Sequence, residues 1–326
     1  MTILVTGVAG FIGAHAAQAL LAAGHEVIGI DNLNAYYAPQ LKRDRLERLS
    51  GSAGFSFHEV DIASLQDIRA ALGSRKPTKI LHLAAQAGVR YSLENPSAYA
   101  DANLNGHFAM LELAREMQVD NMVYASSSSV YGGNTKIPFA ETDLTDDPVS
   151  FYGATKKSNE LMARSYARLH GLSLTGLRFF TVYGPWGRPD MAYWIFAEKI
   201  LKGDPIEVFN HGKMSRDFTY IDDIVAGILA ALDRPARVFD AAVPHRIYNL
   251  GNDKPEQLMD LIRFTEAGIG AEAEKIYKPM QRGDLEKTWA DIDRARSELD
   301  YDPKTGLRDG LELFADWFRT HWTRYC

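Results

Sequence analysis

The chain has 326 residues, 46% of them hydrophobic, and 36 Lys plus Arg against 42 Asp plus Glu give a net charge of −6. A single cysteine, Cys326, excludes a disulfide scaffold, and the apolar content excludes a disordered chain. No apolar run reaches the ~18 residues of a membrane helix, and the mild acidity gives no electrostatic footprint for nucleic acid or an anionic membrane.

The chain enters a strand-like run, Ile3–Thr6, with no basic region or cleavage site before it. That predicts no signal peptide and a reducing, cytoplasmic setting. Strand-like runs recur at Glu26–Ile30, Ser56–Val60, Ile80–Leu83, Met122–Ala125 and Ser173–Arg178. Most are nearly continuous apolar, as in strands buried on both faces of a parallel sheet. Helical patterns at Phe11–Ala23, Ser64–Leu72, Tyr99–Met117 and Tyr152–His170 separate them. The alternation predicts an α/β, Rossmann-type doubly wound parallel sheet. Gly184-Pro185-Trp186-Gly187-Arg188-Pro189 then interrupts it with turn residues. A helix over Ala192–Lys202, a strand over Ile206–Phe209 and a helix over Ile221–Leu232 follow, and Ile247–Leu250 is expected to return to the main sheet. Leu307–Thr323 reads as an amphipathic helix. The C-terminal part is therefore expected to be a smaller domain interwoven with the first.

Gly7, Gly10 and Gly13 stand at Gly-x-x-Gly-x-x-Gly between the first strand and the first helix. Small residues there let backbone N–H groups approach a pyrophosphate at the positive end of a helix. Phe11 and Ile12 lie inside the same turn. Asp31 ends the second strand, 18 residues after Gly13. An acid at that place accepts both ribose hydroxyls of adenosine and repels a 2′-phosphate, which favours NAD over NADP. Asn32 follows it, and Asp61-Ile62 after the third strand are placed to flank the adenine. A glycine turn without a ligand is the bland alternative, and the strand-before, helix-after context weighs against it.

Tyr152 and Lys156 form Tyr-x-x-x-Lys, and residues i and i+4 share a helix face. The ammonium is expected to favour phenolate and lower the Tyr152 pKa, making it a general base. An exposed helix pair is the alternative for that motif taken alone. Ser126-Ser127-Ser128-Ser129 sit at the carboxyl end of the fifth strand, where ligands bind in such sheets. Serine is also common in turns that bind nothing.

Taken in order, these motifs resemble the extended short-chain dehydrogenase/reductase family along essentially the whole chain. Further pieces of the resemblance are Leu83-Ala84-Ala85-Gln86, Arg178 to Pro185, and Arg216 to Asp223. Members modify nucleotide sugars with tightly bound NAD. The resemblance implies that Ser127, Tyr152 and Lys156 are catalytic and that Lys156 also holds the nicotinamide ribose. It implies an NAD-binding domain over 1–180, with segments near 217–250 returning to it, and a mainly UDP-sugar-binding domain over 181–326. It also implies a homodimer through a four-helix bundle built from the two long helices, with Phe108, Leu111, Leu161 and Met162 at the seam.

Related dehydratases and decarboxylases carry acids where this chain has Ser128 or Ser129, and elimination lacks a proton acceptor without one. C4 epimerisation is the simplest remaining chemistry. Galactose-type epimerases carry Asn in place of Thr181. Thr181, the Gly184–Met191 segment and Asn32–Tyr37 are instead similar to UDP-glucuronate 4-epimerases. Ser128, Ser129, Thr181 and Arg188 are expected to face the sugar carboxylate, with Arg90 a second candidate. By the same resemblance Arg216 and Arg282 clamp the diphosphate and Asp284 accepts a uridine ribose hydroxyl. Val208 and Phe209, at the end of their strand, are placed to border the uracil, with a core role the alternative for Phe209. A neutral UDP-sugar 4-epimerase (UDP-glucose/UDP-galactose), a UDP-glucuronate decarboxylase and an NAD-binding module without chemistry are the alternatives.

Overall fold

Seven parallel strands form the main sheet of the computed structural model, which describes residues 1–280 and 285–325. They are β1 (Thr2–Thr6), β2 (Glu26–Asp31), β3 (Phe55–Glu59), β4 (Lys79–His82), β5 (Asn121–Ser127), β6 (Leu174–Phe179) and the His245–Leu250 strand. The spatial order runs from the His245–Leu250 strand through β6, β5, β4, β1 and β2 to β3. The chain moves outward from β1 to β3 and then crosses to β4 on the other side of β1. Ligand crevices in such sheets open at that reversal, beyond the carboxyl ends of the strands.

Both faces of the sheet are covered, which explains the continuous apolar runs. Ile3, Val5, Val27, Leu81, Val123 and Leu177 belong to one core, which also holds Ala16 of the Phe11–Ala22 helix and Ile224 of the Ile221–Asp233 helix. Leu4, Ile28, Ile30, Met122 and Leu174 belong to the other, with Met110 and Leu113 of the Gly106–Met117 helix and Ala163 of the Phe151–His170 helix.

The pattern over Tyr99–Met117 is not one helix. A single turn at Pro96–Tyr99 runs into a π-helical stretch, Ala100–Asn105, before the regular Gly106–Met117 helix. The wide turn points Asn103 inward, where its side chain accepts from the Gln86 amide at 2.8 Å and donates to the Gln86 carbonyl and the Thr155 hydroxyl, both at 3.0 Å. π-Helical turns recur at functional sites, and this one braces the loop after β4.

Two of the four residues expected at a helix seam face inward. Leu111 is fully buried and Met162 packs against the same core, whereas Phe108 and Leu161 are exposed. The sheet takes the inward stripe of both helices, leaving the outer faces with fewer apolar residues than the spacing suggests.

The smaller layer holds Ser215–Tyr220, paired with Thr181–Tyr183, Pro255–Gln257 and Lys287–Thr288, and a separate pair of Ile206–Val208 with Lys275–Tyr277. Three further helices, Pro39–Ser50, Leu258–Ile269 and Asp293–Leu299, were not expected from the apolar pattern.

Candidate active site

A cleft of about 960 Å³ lies between the two layers, lined by the glycine turn at one end and by Phe209 and Arg216 at the other. At the first end the chain turns tightly out of β1. Gly7 has φ 72, and a Cβ on Gly13 would lie 2.0 Å from the Gly7 carbonyl oxygen. Only glycine lets the Phe11–Ala22 helix start this close to the turn. Its first N–H groups meet no side-chain cap and no acidic residue in the first turn. That leaves a cradle of free donors at a positive helix end, which suits the pyrophosphate of NAD. Phe11 and Ile12 line the cleft beside it.

Asp31 accepts from the Ala9 amide at 3.1 Å and the Leu33 amide at 2.9 Å. A carboxylate has about four lone-pair sites, so acceptor capacity remains for a ribose diol. Burial pushes the Asp31 pKa up, while Lys42 and Arg45 nearby oppose the shift. Asn32 donates to Asp61 at 2.9 Å, and both line the cleft together with Ile62. Leu83, Ala84, Ala85 and Gln86 line the middle of the cleft. Gln86 Nε2 is buried there beside the Tyr99 hydroxyl. Free amides at the glycine turn and a carboxylate with spare lone pairs together fit a dinucleotide.

Ser150 caps the Phe151–His170 helix by accepting from the Gly153 amide at 3.0 Å, which puts Tyr152 in the first turn. A Cβ on Gly153 would lie 2.6 Å from the Ser129 carbonyl oxygen, so the helix approaches the serine turn closely. The Tyr152 phenol is hydrogen-bonded with Ser127. The Ser127 hydroxyl in turn accepts from the Ser129 amide at 3.1 Å. Beneath them, Arg178 donates to Glu160 in two bonds of 2.8 Å and Ser126 donates to Glu160 at 2.6 Å, all three side chains being buried. This ties the end of β5 to the helix carrying Tyr152.

The electrostatics differ from the expectation in sign. Burial raises the Tyr152 pKa, against smaller lowering effects from Ser127 and Arg188. Lys156 does not supply the expected depression. Burial pulls its own pKa down to about 8, and its Nζ donates to the Ala125 carbonyl at 3.0 Å. The i, i+4 spacing fixes the shared face but not where a long amine points.

Ser128, Ser129 and Thr181 line the same end of the cleft as Tyr152. Arg188 also lines it, but its guanidinium holds Asp190 through Nε–Oδ1 at 3.0 Å and Nη2–Oδ2 at 2.5 Å. Tyr36 donates to the same carboxylate at 3.1 Å, and its own pKa is pushed up to about 12. Arg90 sits over the Phe209 ring at 5.8 Å, away from the sugar end. Arg216 lines the cleft and donates to the Ser215 and Glu286 carbonyls at 2.9 and 3.1 Å. Val208 is a correction: it is fully buried in the core, because alternation along its short strand turns it away from the cleft. Arg282 and Asp284 lie outside the described residues.

Residues not foreseen at the cleft include Asn34, Tyr36, Lys42 and Asp190. The charge-rich sequence of the Pro39–Ser50 helix gave no sign that Lys42, Asp44 and Arg45 are buried.

The model of the NAD dependent epimerase/dehydratase family matches residues 3–251. The chain is 48% identical to UDP-glucuronate 4-epimerase 4 of Arabidopsis thaliana, over 99% of this chain and 76% of that one. It is also similar to the crystal structure of UDP-glucuronic acid 4-epimerase from Bacillus cereus in complex with UDP-glucuronic acid and NAD. That match has TM-score 0.90 and 35% identity and covers 98% of this chain and 99% of the other. A third likeness is to UDP-glucose 4-epimerase of Thermotoga maritima with UDP-glucose, at TM-score 0.89 and 32% identity, covering 99% of this chain and 100% of that one. With a doubly wound sheet, a glycine cradle and the Ser127–Tyr152–Lys156 set in one cleft, the chain belongs to the NAD dependent epimerase/dehydratase family.

Proposed function

We propose that the protein converts UDP-glucuronate to UDP-galacturonate by NAD-dependent epimerisation at C4. The observation that carries this reading is the Ser128–Ser129 pair, which follows Ser127 directly in the turn facing Tyr152. Neither side chain accepts a proton from C5, so elimination lacks its base. Both donate, as does Thr181, and donors suit a sugar carboxylate. The named activities of the relatives agree with it.

NAD held in this cleft would supply a reversible hydride acceptor for C4. Tyr152 takes the O4 proton and gives it back after the sugar has turned. Ser127 orients O4, and its bond to the phenol together with the Arg188 charge favours phenolate against the effect of burial. Lys156 is assigned to the nicotinamide ribose. Gly7, Gly10 and Gly13 hold the pyrophosphate, and Asp31 the adenosine ribose. Ser128, Ser129 and Thr181 hold the carboxylate near the plane of the C4 ketone. There its C–C bond overlaps poorly with the π-system, which restrains loss of carbon dioxide from the β-keto acid. We assign Arg216 and Arg282 to the diphosphate, Asp284 to the uridine ribose, and Arg90 with Phe209 to the uracil end. Residues 1–180 then serve the cofactor and 181–326 mainly the UDP-sugar, with the His245–Leu250 strand belonging to the first unit. Exposed Phe108 and Leu161 support a homodimer through the helices that carry them. We place the protein in the cytoplasm, since one cysteine forms no internal disulfide.

A neutral-sugar 4-epimerase is the second reading, favoured by the Arg188–Asp190 pair, which already occupies donors that a sugar carboxylate would need. Incubation with UDP-glucuronate and separation of the nucleotide sugars decides between them. UDP-galacturonate supports the proposal. No turnover of UDP-glucuronate, with turnover of UDP-glucose, supports the second reading. A UDP-pentose with carbon dioxide identifies a decarboxylase.

A further inference from the structure

We propose that Arg45 is a positioning residue that locks the dinucleotide turn to the loop carrying Arg188, so that cofactor retention and recognition of the sugar depend on one buried guanidinium. The sugar half of this inference rests on the UDP-glucuronate reading and on the sequence-based expectation that Arg188, which lines the cleft, faces the sugar.

Arg45 stands in the Pro39–Ser50 helix and is 0% exposed. A guanidinium has five N–H donors in a fixed fork, and here each finds an acceptor. Nε and Nη2 donate to the Trp186 carbonyl at 3.0 and 2.7 Å, and Nη2 also donates to the Gly187 carbonyl at 2.7 Å. Nη1 donates to the Ala9 carbonyl at 3.1 Å and the Tyr37 hydroxyl at 2.7 Å. None of these acceptors is a carboxylate. Burying a guanidinium is costly, and with the Asp31 carboxylate nearby but not bonded to it, its spending all five donors on these acceptors calls for a reason beyond packing.

The acceptors supply that reason. Ala9 lies between Gly7 and Gly10 in the dinucleotide turn, and its amide is held by Asp31. Trp186 and Gly187 immediately precede Arg188. Trp186 has φ 60, a left-handed backbone that bulky residues seldom adopt. Such a conformation persists only where the surroundings over-determine it. Two bonds from Arg45 hold its carbonyl, Arg48 lies over its ring at 5.0 Å, and Trp317 packs at 5.1 Å. One fork therefore sets the distance between the pyrophosphate cradle and the strained loop that presents Arg188 to the cleft. Lysine has three donors on a point charge and cannot reproduce the fork.

The test uses the full chain as purified, with Arg45→Lys and Tyr37→Phe. Three quantities are read: NAD retained per protomer after gel filtration, the Kd for UDP, and KM with kcat for UDP-glucuronate at saturating NAD. Arg45→Lys should retain several-fold less NAD and raise KM about tenfold or more. The fall in kcat should be smaller, and the Kd for UDP should stay within about twofold, because the nucleotide end lies away from Arg45. Tyr37→Phe removes one acceptor, folds without a buried vacancy, and should shift NAD retention and KM the same way by about threefold. If Arg45→Lys does not fold, Tyr37→Phe decides. Either variant, folded, with one of the two quantities unmoved shows that the two ends are not coupled through Arg45. If the wild type turns over only UDP-glucose, the assignment of UDP-glucuronate fails by itself, and the coupling is read from NAD retention and the UDP-glucose KM.

Discussion

The Lys156 ammonium donates to the Ala125 carbonyl at 3.0 Å, holding the amine against the end of β5, two residues before Ser127. With the amine engaged by the strand, Tyr152 stays above its ordinary pKa of 10.0 through burial and relies on Ser127 and Arg188 for any depression. Proton abstraction then requires deprotonating a phenol that resists it. We expect kcat to rise with pH on the alkaline side of neutrality. Tyr152→Phe should cut kcat by about 100- to 10,000-fold, with the Kd for UDP within twofold of wild type by calorimetry. A pH-independent kcat from pH 6 to 9, or substantial turnover by the variant, removes Tyr152 from the role of base.

Asp31 should select the cofactor. Protein stripped of dinucleotide should regain activity with NAD and bind NADP at least about tenfold more weakly, since a 2′-phosphate would meet a buried carboxylate. Asp31→Ser should narrow that ratio. Equal reconstitution of the wild type by NADP contradicts the assignment.

Acid should destabilise the fold through its buried histidines. His82 and His245 are buried, and burial lowers their pKa values from 6.5 to about 3 and about 4. His107 stacks on His82 at 5.3 Å and shifts the same way. The unfolded chain binds more protons than the folded one below pH 6.5, so stability falls as pH is lowered through that window. For His82 and His245 together the loss between pH 7 and pH 5 is about 4 kcal/mol. Asp217 acts in the opposite direction. Burial raises its pKa to about 6, so its contribution improves as pH falls from 7 toward 5, by about 1.5 kcal/mol. The histidines win, and the thermal midpoint should be lower at pH 5 than at pH 7. An equal or higher midpoint at pH 5 contradicts their burial as neutral rings.

The site residues readable from sequence are those whose chemistry is local. Gly7, Gly10 and Gly13 carry their meaning in spacing and in the strand and helix around them, and Tyr152 with Lys156 in one helical turn. What is hidden depends on contacts between distant segments. Lys42, Asp44 and Arg45 carry no pattern that predicts burial, yet all are buried, because carbonyls from Trp186 and Gly187 and side chains from Asn34 and Tyr325 satisfy them. Val208 and Phe209 are neighbours in sequence, and only the alternation of a short strand sends one to the core and the other to the cleft. Arg188 is recognisable as an anion-binding candidate, but its pairing with Asp190 two residues on, held by Tyr36 from 154 residues away in sequence, follows from no motif.

The hydroxyl cluster should read the sugar carboxylate. Replacing Ser129 with Ala removes a charge-assisted hydrogen bond of ~1.5–3 kcal/mol. The loss should fall on UDP-glucuronate and spare UDP-glucose, and UDP-pentose should rise as epimer falls. Equal losses on both sugars without pentose would show that the cluster does not contact the carboxylate.

The most direct measurement is the fate of the hydrogen at C4. UDP-glucuronate deuterated at C4, incubated with the purified protein in ordinary water, should yield UDP-galacturonate that keeps the deuterium at C4, because the same hydrogen leaves and returns within the closed site. Product carrying protium at C4, or a UDP-pentose in place of UDP-galacturonate, would contradict C4 epimerisation by transient oxidation.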